Sequence, residues 1–404
     1  MNSRYNCLER YVNQQKVISS IPRLKVVIVK HTFTAGSAED ALRDYLNDRK
    51  VNKLAYISHP FSYATPLNSK MILYEEGRQI KEMKAPAIKG PDLLFYIKDF
   101  FFTLFFMFRL KTKFDLYVGV DNLNAFVGLV LKKLGLVRKV IFYTIDYVPK
   151  RFDNKLLNKI YHLVDKACCY KCDFVWNLSS VMAEERNKRG VLLKKSAPQI
   201  TVPMGAHFNK TRRLPFKKID RNTIVYMGHL RENQGVDFLI SAFPEVLKVN
   251  SKARLLIVGT GHLGSQLKKL ALELGMDQYI EFTGMIESHS ELEQLLATCA
   301  IGVAPYVPNP DSFTLFTDPG KPKVYMAIGL PVVITRVPQI AYEIEREKAG
   351  IAINYDQKEL VDAITLLLSD DYLYKEYREN AIRFAAQYSW ERIFEDALGE
   401  VLKF

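Results

Sequence analysis

The stretch RLLIVGTGHLGSQLKKLALELG, Arg254 to Gly275, runs from an unbroken apolar segment through a glycine-rich turn into a pattern with apolar residues three and four apart. The first part reads as a buried β-strand and the last as an amphipathic helix. Repetition of this unit decides the fold. TIVYMGHLRENQGVDFLISAF, Thr223 to Phe243, precedes it with the same strand–turn–helix outline, and YIEFTG, AIGVAP and PVVIT follow as further short apolar strands. An earlier series contains LKVVIV, KLAYIS, DLYVGV, KVIFYTI and DFVWNLS, and the turn-rich, basic VPMGAHFNKTRRLPFKKIDRN lies between the two. Short apolar strands alternating with helices predict parallel sheets covered on both faces. The restart predicts an α/β chain of two doubly wound, Rossmann-like domains, residues 1–204 and 205–404, with ligand in the cleft at the strand C-termini. The last pattern, QYSWERIFEDALGEVLKF, is free to pack back on the first domain.

Gly259-x-Gly261-x-x-Gly264 after a strand, with Glu281 about twenty residues on, has the outline of a dinucleotide fingerprint. Three features weaken that reading. Another strand–turn–helix unit precedes it in the same domain, Glu281 is followed by FTG within its strand instead of ending it, and the glycine spacing alone is a weak signal. Glycines that permit a tight turn explain the spacing too. A nucleotide site shared between several loops is the expectation carried forward.

With 404 residues and 48% hydrophobic content, the chain can build two cores. Its 57 Lys and Arg against 44 Asp and Glu, a formal charge of +13, imply phosphate-bearing or anionic partners. Nucleic acid is disfavoured because no basic strip interleaved with aromatics appears. Five cysteines, three of them crowded into DKACCYKCDF, make a poor disulfide framework, so a reduced cytoplasmic setting is expected. Half-buried helix cysteines are a better reading of them than a zinc site. No signal peptide is visible, and the strongest apolar run, FFFTLFFMF at Phe100 to Phe108, is too short to span a bilayer. PDLLFYIKDFFFTLFFMFRLKTKFD has aromatics on nearly every side. It is therefore either buried or seated in a membrane interface with Lys98, Arg109, Lys111 and Lys113 near headgroups.

Between about residues 222 and 392, the ordered set YMGHLRENQGVDFLISAF, LLIVGTGHLGSQLKKLALELG, YIEFTGMI, LLATCAIGVAPY and DPGKPKVYMAIGLPVV resembles the donor domain of GT-B glycosyltransferases, above all family four of retaining hexosyltransferases. The resemblance implies a nucleotide-sugar-binding C-terminal domain and an acceptor-binding N-terminal one. It also implies a UDP-linked donor substrate, no other cofactor and no bound metal. It places donor contacts at Gly228, His229, Arg231, Gly259, Tyr306, Lys321 and Tyr325. Two departures stand out. The family's loop cations fall on His229 and Gln234, and its ribose-binding glutamate falls on Val324. Lys321 remains, at the start of a helix opened by TDPGK, where the dipole favours an anion. Asp318 and Pro319 read as cap and first turn.

A second group that this chain resembles at motif scale, the inverting glucuronosyltransferases of xanthan-type polysaccharide synthesis, also lacks that glutamate. That likeness carries donor contacts onto Tyr306 and Lys321 and a catalytic aspartate onto Asp146, in KVIFYTIDYVP. Inverting transfer needs one base for the acceptor hydroxyl and a charge clamp on the leaving diphosphate. Asp146 is the expected base, although it could instead cap a turn or pair with Lys150 or Arg151. His31, Thr34, Gly36 and Ser37 are candidates for the cleft wall. SDD at Ser369 to Asp371 reads as a helix boundary and not as a metal-binding loop. The expected partners are a nucleotide sugar, a lipid-linked or saccharide acceptor, and an anionic membrane surface that holds the protein peripherally at its inner face. A retaining hexosyltransferase and a GT-B nucleotide-sugar epimerase are the alternatives.

Overall fold

The structure, a computed structural model, describes residues 14–31, 37–61, 66–90, 92–309 and 313–403. The chain forms two units, Met1–Pro203 with Trp390–Phe404, and Met204–Ser389. In the N-terminal unit the order is β1 (Lys25–His31), α1 (Ala38–Asp48), β2 (Lys53–His59), β3 (Lys70–Glu75), β4 (Arg78–Lys84), α2 (Asp92–Leu110), β5 (Phe114–Val120), α3 (Asp121–Lys133), β6 (Val137–Thr144), α4 (Lys155–Lys171), β7 (Phe174–Asn177), α5 (Ser180–Lys188) and β8 (Gln199–Thr201). The sheet runs β4-β3-β2-β1-β5-β6-β7-β8. Its central strands β1, β2, β5, β6 and β7 are the five apolar runs of the first series. They pair in parallel, as strands buried on both faces should.

The antiparallel hairpin β3–β4 at one edge breaks the all-parallel expectation. Its two-residue turn, Glu76-Gly77, has positive φ at both positions, 49° and 81°, the geometry whose twist matches a hairpin. β4 shows no apolar alternation because almost every residue in it is exposed.

The C-terminal unit comprises β9 (Thr223–Met227), α6 (Val236–Val249), β10 (Arg254–Val258), α7 (Gly264–Glu273), β11 (Ile280–Gly284), α8 (His289–Thr298), β12 (Ile301–Ala304), α9 (Gly320–Ile328), β13 (Val332–Thr335), α10 (Ile340–Arg346), β14 (Gly350–Ile353), α11 (Gln357–Ser369) and α12 (Asp371–Ala385). Its six-stranded sheet, β11-β10-β9-β12-β13-β14, is parallel throughout. The order reverses at β9, so the loops after β9 and β12 diverge to opposite sides and leave room at the strand ends. The Asp370 side chain accepts from the Leu373 amide, capping α12 and fixing the α11–α12 boundary at Ser369 to Asp371.

The last helix, α13 (Trp390–Val401), belongs to the N-terminal unit. Arg49 reaches Glu395 at 2.8 Å, and Lys139 donates to the Val401 carbonyl at 2.7 Å.

Helix α2 divides its aromatics between two faces. Phe95, Phe106 and Met107 are buried, whereas Leu94, Ile97, Phe101, Phe105 and Phe108 are exposed, Phe101 at 61%. Spacings of three and four make the exposed set one stripe. Lys98 is not a surface cation, since it is buried and lies 3.0 Å from Asp99. No helix among the described residues is long and apolar enough to cross a membrane.

Candidate functional site

In the C-terminal unit the loops after β9 and β10 approach so closely that a Cβ on Gly259 would lie 1.9 Å from the Gly228 carbonyl oxygen. Both glycines have φ in the left-handed half of the map, 134° and 145°, which other residues rarely adopt. Their amides are already used: Gly228 N donates to Val258 O and Gly259 N to Gly284 O. Both N–H groups are therefore committed within the protein, and what the two glycines provide is close backbone approach. A Cβ on Gly228 would also stand 3.0 Å from Lys321 Nζ, so the glycine leaves that ammonium its space.

Lys321 lies in the first turn of α9. Its Nζ donates to Gln234 Oε1 and to the Tyr226 hydroxyl at 3.3 Å, and it lies over the rings of Tyr226 and Tyr306, 4.6 and 4.9 Å from their centroids. Ring faces favour a cation, yet no carboxylate pairs with Lys321 among the described residues, and burial pushes its pKa down to about 7. The neighbouring lysine shows the contrast, because buried Lys323 is paired with Asp318. Asp318 accepts from both Lys323 and the Met204 amide, and Pro319, not Asp318, occupies the cap position of α9. The cap reading of Asp318 is thus replaced by a buried ion pair.

Tyr325 is fully buried, and its hydroxyl accepts from the Met227 amide at 2.6 Å, which anchors the end of β9. Tyr306 is buried too, and its hydroxyl has no hydrogen-bond partner among the described residues. His229 and Arg231 are exposed on the loop after β9. Burial, Arg231 and Lys321 together lower the His229 pKa. Val324 is half-buried against the apolar cluster that contains Tyr325 and Met326.

The N-terminal unit holds a cavity of about 450 Å³. Phe61, Tyr96, Ile97, Phe100 and Phe101 line it from the α2 side, Leu123 and Phe126 from α3, and Leu157, Ile160, Tyr161 and Val164 from α4. Its polar groups are His31, Asp121, Asn122, Asp146 and Arg151. Asp146 stands just beyond β6, ion-paired with Arg151, while Lys150 pairs with Asp153 at 2.8 Å. His31 closes β1 with Nε2 3.2 Å from Asp99 Oδ2 and Nδ1 3.3 Å from Asn124 Nδ2. The amide can only donate, so Nδ1 accepts and Nε2 carries the proton toward Asp99. Ser37 donates to Asp40 at 2.8 Å, and Thr34 and Gly36 lie outside the described residues.

Two residues were not singled out by sequence. Gln234 marked only a missing cation, yet its oxygen holds Lys321. Asp121 reads as an ordinary aspartate in a first helical turn, and nothing in its neighbours signals the cavity. Cys168, Cys169, Cys172 and Cys299 are buried free thiols, and no group of three or more His, Cys, Asp or Glu among the described residues could hold a metal ion.

Residues 221–370 match the family model described as glycosyl transferases group 1. Curated relatives include an uncharacterized glycosyltransferase of Methanocaldococcus jannaschii, 25% identical over 181 residues and 44% of each chain. Another is a D-inositol 3-phosphate glycosyltransferase of Corynebacterium jeikeium, 26% identical over 186 residues, 44% of this chain and 42% of that one. The matched stretch thus spans less than half the length of either relative. Among solved structures, sucrose-phosphate synthase from Thermosynechococcus elongatus superposes with a TM-score of 0.69 at 17% identity, covering 94% of this chain and 98% of that one. Anabaena HepE in complex with UDP gives 0.66 at 16% identity, covering 94% and 100%. At such identities the likeness is one of fold, and the fold is that of GT-B glycosyltransferase structures, with two Rossmann-like sheets.

Proposed function

We propose that this chain is a glycosyltransferase that moves a hexose or hexuronic acid from a UDP-sugar to a hydroxyl of a lipid-linked or saccharide acceptor in surface polysaccharide or glycolipid synthesis. The observation that carries the reading is Lys321, a half-buried lysine whose Nζ lies over two tyrosine rings and has no carboxylate partner among the described residues. A diphosphate at the strand ends supplies the missing charge, and the loop after β9 adds Arg231. The match of residues 221–370 and the UDP and UDP-glucose complexes of HepE support the choice of ligand. Transfer proceeds with inversion and without a bound metal. The carboxylate that the resemblance assigns as base is Asp146, which is ion-paired with Arg151.

Titration calorimetry with UDP in the presence of chelator tests the site, and NAD binding as tightly as UDP overturns it. Turnover is then sought with UDP-glucose and UDP-glucuronic acid, with and without membrane lipid extract. A product whose anomeric configuration by NMR is that of the donor overturns inversion, and alteration of the free sugar nucleotide alone returns the epimerase reading.

Val324→Glu, which restores the glutamate of the retaining pattern, is expected to weaken UDP binding by about tenfold. Position 324 is three residues beyond Lys321 on the same helix, within reach of a side-chain ion pair, so the new carboxylate competes with the diphosphate. Tighter UDP binding by the variant, read by the same calorimetry, refutes this account.

Peripheral attachment at the inner membrane face is part of the same proposal. Ile97 and Phe101 of the exposed α2 stripe line the same cavity as Ile160 of α4, Leu156 and Leu163 of α4 are exposed as well, and Arg109, Lys111, Lys113, Lys155 and Lys159 are nearby in sequence. Sedimentation with vesicles containing anionic lipid should show binding that largely disappears at 1 M salt, where screening is complete within about 3 Å. Absence of binding at low salt refutes it.

A further inference from the structure

Asp146 is tied to Arg151 in an ion pair through Oδ2. His31 is committed through both ring nitrogens. A second carboxyl lines the same cavity. Asp121 follows β5 directly and has a φ of 66°, in the left-handed region that a non-glycine residue holds only under constraint. Its Oδ1 is buried with no hydrogen-bond partner among the described residues. Buried carboxylate oxygens are ordinarily bonded, so this one is kept available at a local cost.

We infer that Asp121 is a second catalytic carboxylate of the cavity, the group that takes the proton from the acceptor hydroxyl while Asp146 holds Arg151 in place. The inference rests on the glycosyl-transfer reading above. In the step, the acceptor O–H bond breaks and its electron pair forms the bond to the anomeric carbon. The bond from that carbon to the diphosphate breaks with its pair leaving on the diphosphate, and the proton ends on Asp121. The two carboxyls of the cavity differ in their partners: Asp146 is held by Arg151, and Asp121 Oδ1 is buried with no hydrogen-bond partner among the described residues.

The groups facing Asp121 are His31 from β1, Glu39 of α1, which lies 3.3 Å from Lys30, Asp146 and Arg151 from the loop after β6, and Tyr161 from α4. Burial raises the Asp121 pKa to about 6, Arg151 opposes the rise and Asp146 adds to it. A base with a pKa near the working pH is effective.

Asp121→Asn and Asp146→Asn are compared with the wild type in UDP affinity and in pH profiles of UDP release, using whichever of UDP-glucose and UDP-glucuronic acid turns over with lipid extract. Asp121→Asn is expected to lower turnover by about 10² to 10⁴ with UDP affinity within about twofold. Asp146→Asn should lose only about tenfold and move the acid limb to lower pH, because Arg151 then acts on Asp121 alone. Equal losses, the reverse order, or no loss in Asp121→Asn overturn the inference while leaving glycosyl transfer standing. A wild type that neither binds UDP nor turns over overturns both. Folding is checked by the fluorescence of Trp176 and Trp390, both buried in the N-terminal unit. Should Asp121→Asn not fold, the wild-type profile decides: an acid limb near pH 6 supports the inference, and full activity down to pH 4.5 overturns it.

Discussion

Lys321→Ala is expected to weaken UDP binding by about 1.5–3 kcal/mol, the range for hydrogen bonds to a charged group, or roughly 10- to 150-fold. Lys321 has no carboxylate partner among the described residues, so its removal leaves no uncompensated anion behind there. The loss is therefore close to the interaction with the diphosphate itself. A second readout follows from the depressed pKa. With a value of about 7, Lys321 is largely uncharged at pH 8 in the free protein, and a diphosphate, by favouring the ammonium, raises it. UDP binding at pH 8 should take up nearly one proton, seen as a dependence of the calorimetric enthalpy on buffer ionisation, and the dependence should vanish in Lys321→Ala. Unchanged affinity in the variant would remove Lys321 from the site.

The sheets were legible wherever strands are buried on both faces. The ten apolar runs read from sequence are β1, β2, β5, β6 and β7, then β9 to β13. What escaped has a different physical origin. β3 pairs antiparallel in an edge hairpin outside the strand–helix alternation, β4 is exposed along almost its whole length and carries no alternation, β8 has three residues, and β14 has four and follows a helix closely. In the C-terminal unit Gly228, Gly259 and Lys321 were singled out through an ordered set of local motifs that resembles a known donor domain, since each sits in a short stretch of sequence. The N-terminal cavity is assembled from α2, α3, α4 and the loop after β6. Asp121 and Arg151 meet there only through tertiary packing, and no short-range pattern records that. Asp146 was visible by resemblance, and its ion pair with Arg151 was among the readings left open, because the two are five residues apart.

Asp121→Asn should make the N-terminal unit more stable at pH 7.5, by up to about 3 kcal/mol, and should leave it unchanged at pH 3.5. Burial raises the Asp121 carboxyl from its ordinary 3.8 to about 6. Each decade of proton affinity is worth about 1.4 kcal/mol. Between pH about 4 and about 6 the folded state keeps a proton that the unfolded chain has released, so stability falls as pH rises through that window. Above about 6 the full penalty of the buried charge is present, and below about 4 none of it is. Asparagine has the same shape, tolerates a φ of 66° better than most residues, and carries no charge to desolvate. Denaturant unfolding followed by tryptophan emission isolates the unit, since both tryptophans lie in it. A variant destabilised at pH 7.5 would show Asp121 to be held by partners that reward its charge, and would make it a structural residue instead of a base kept unpaired for chemistry.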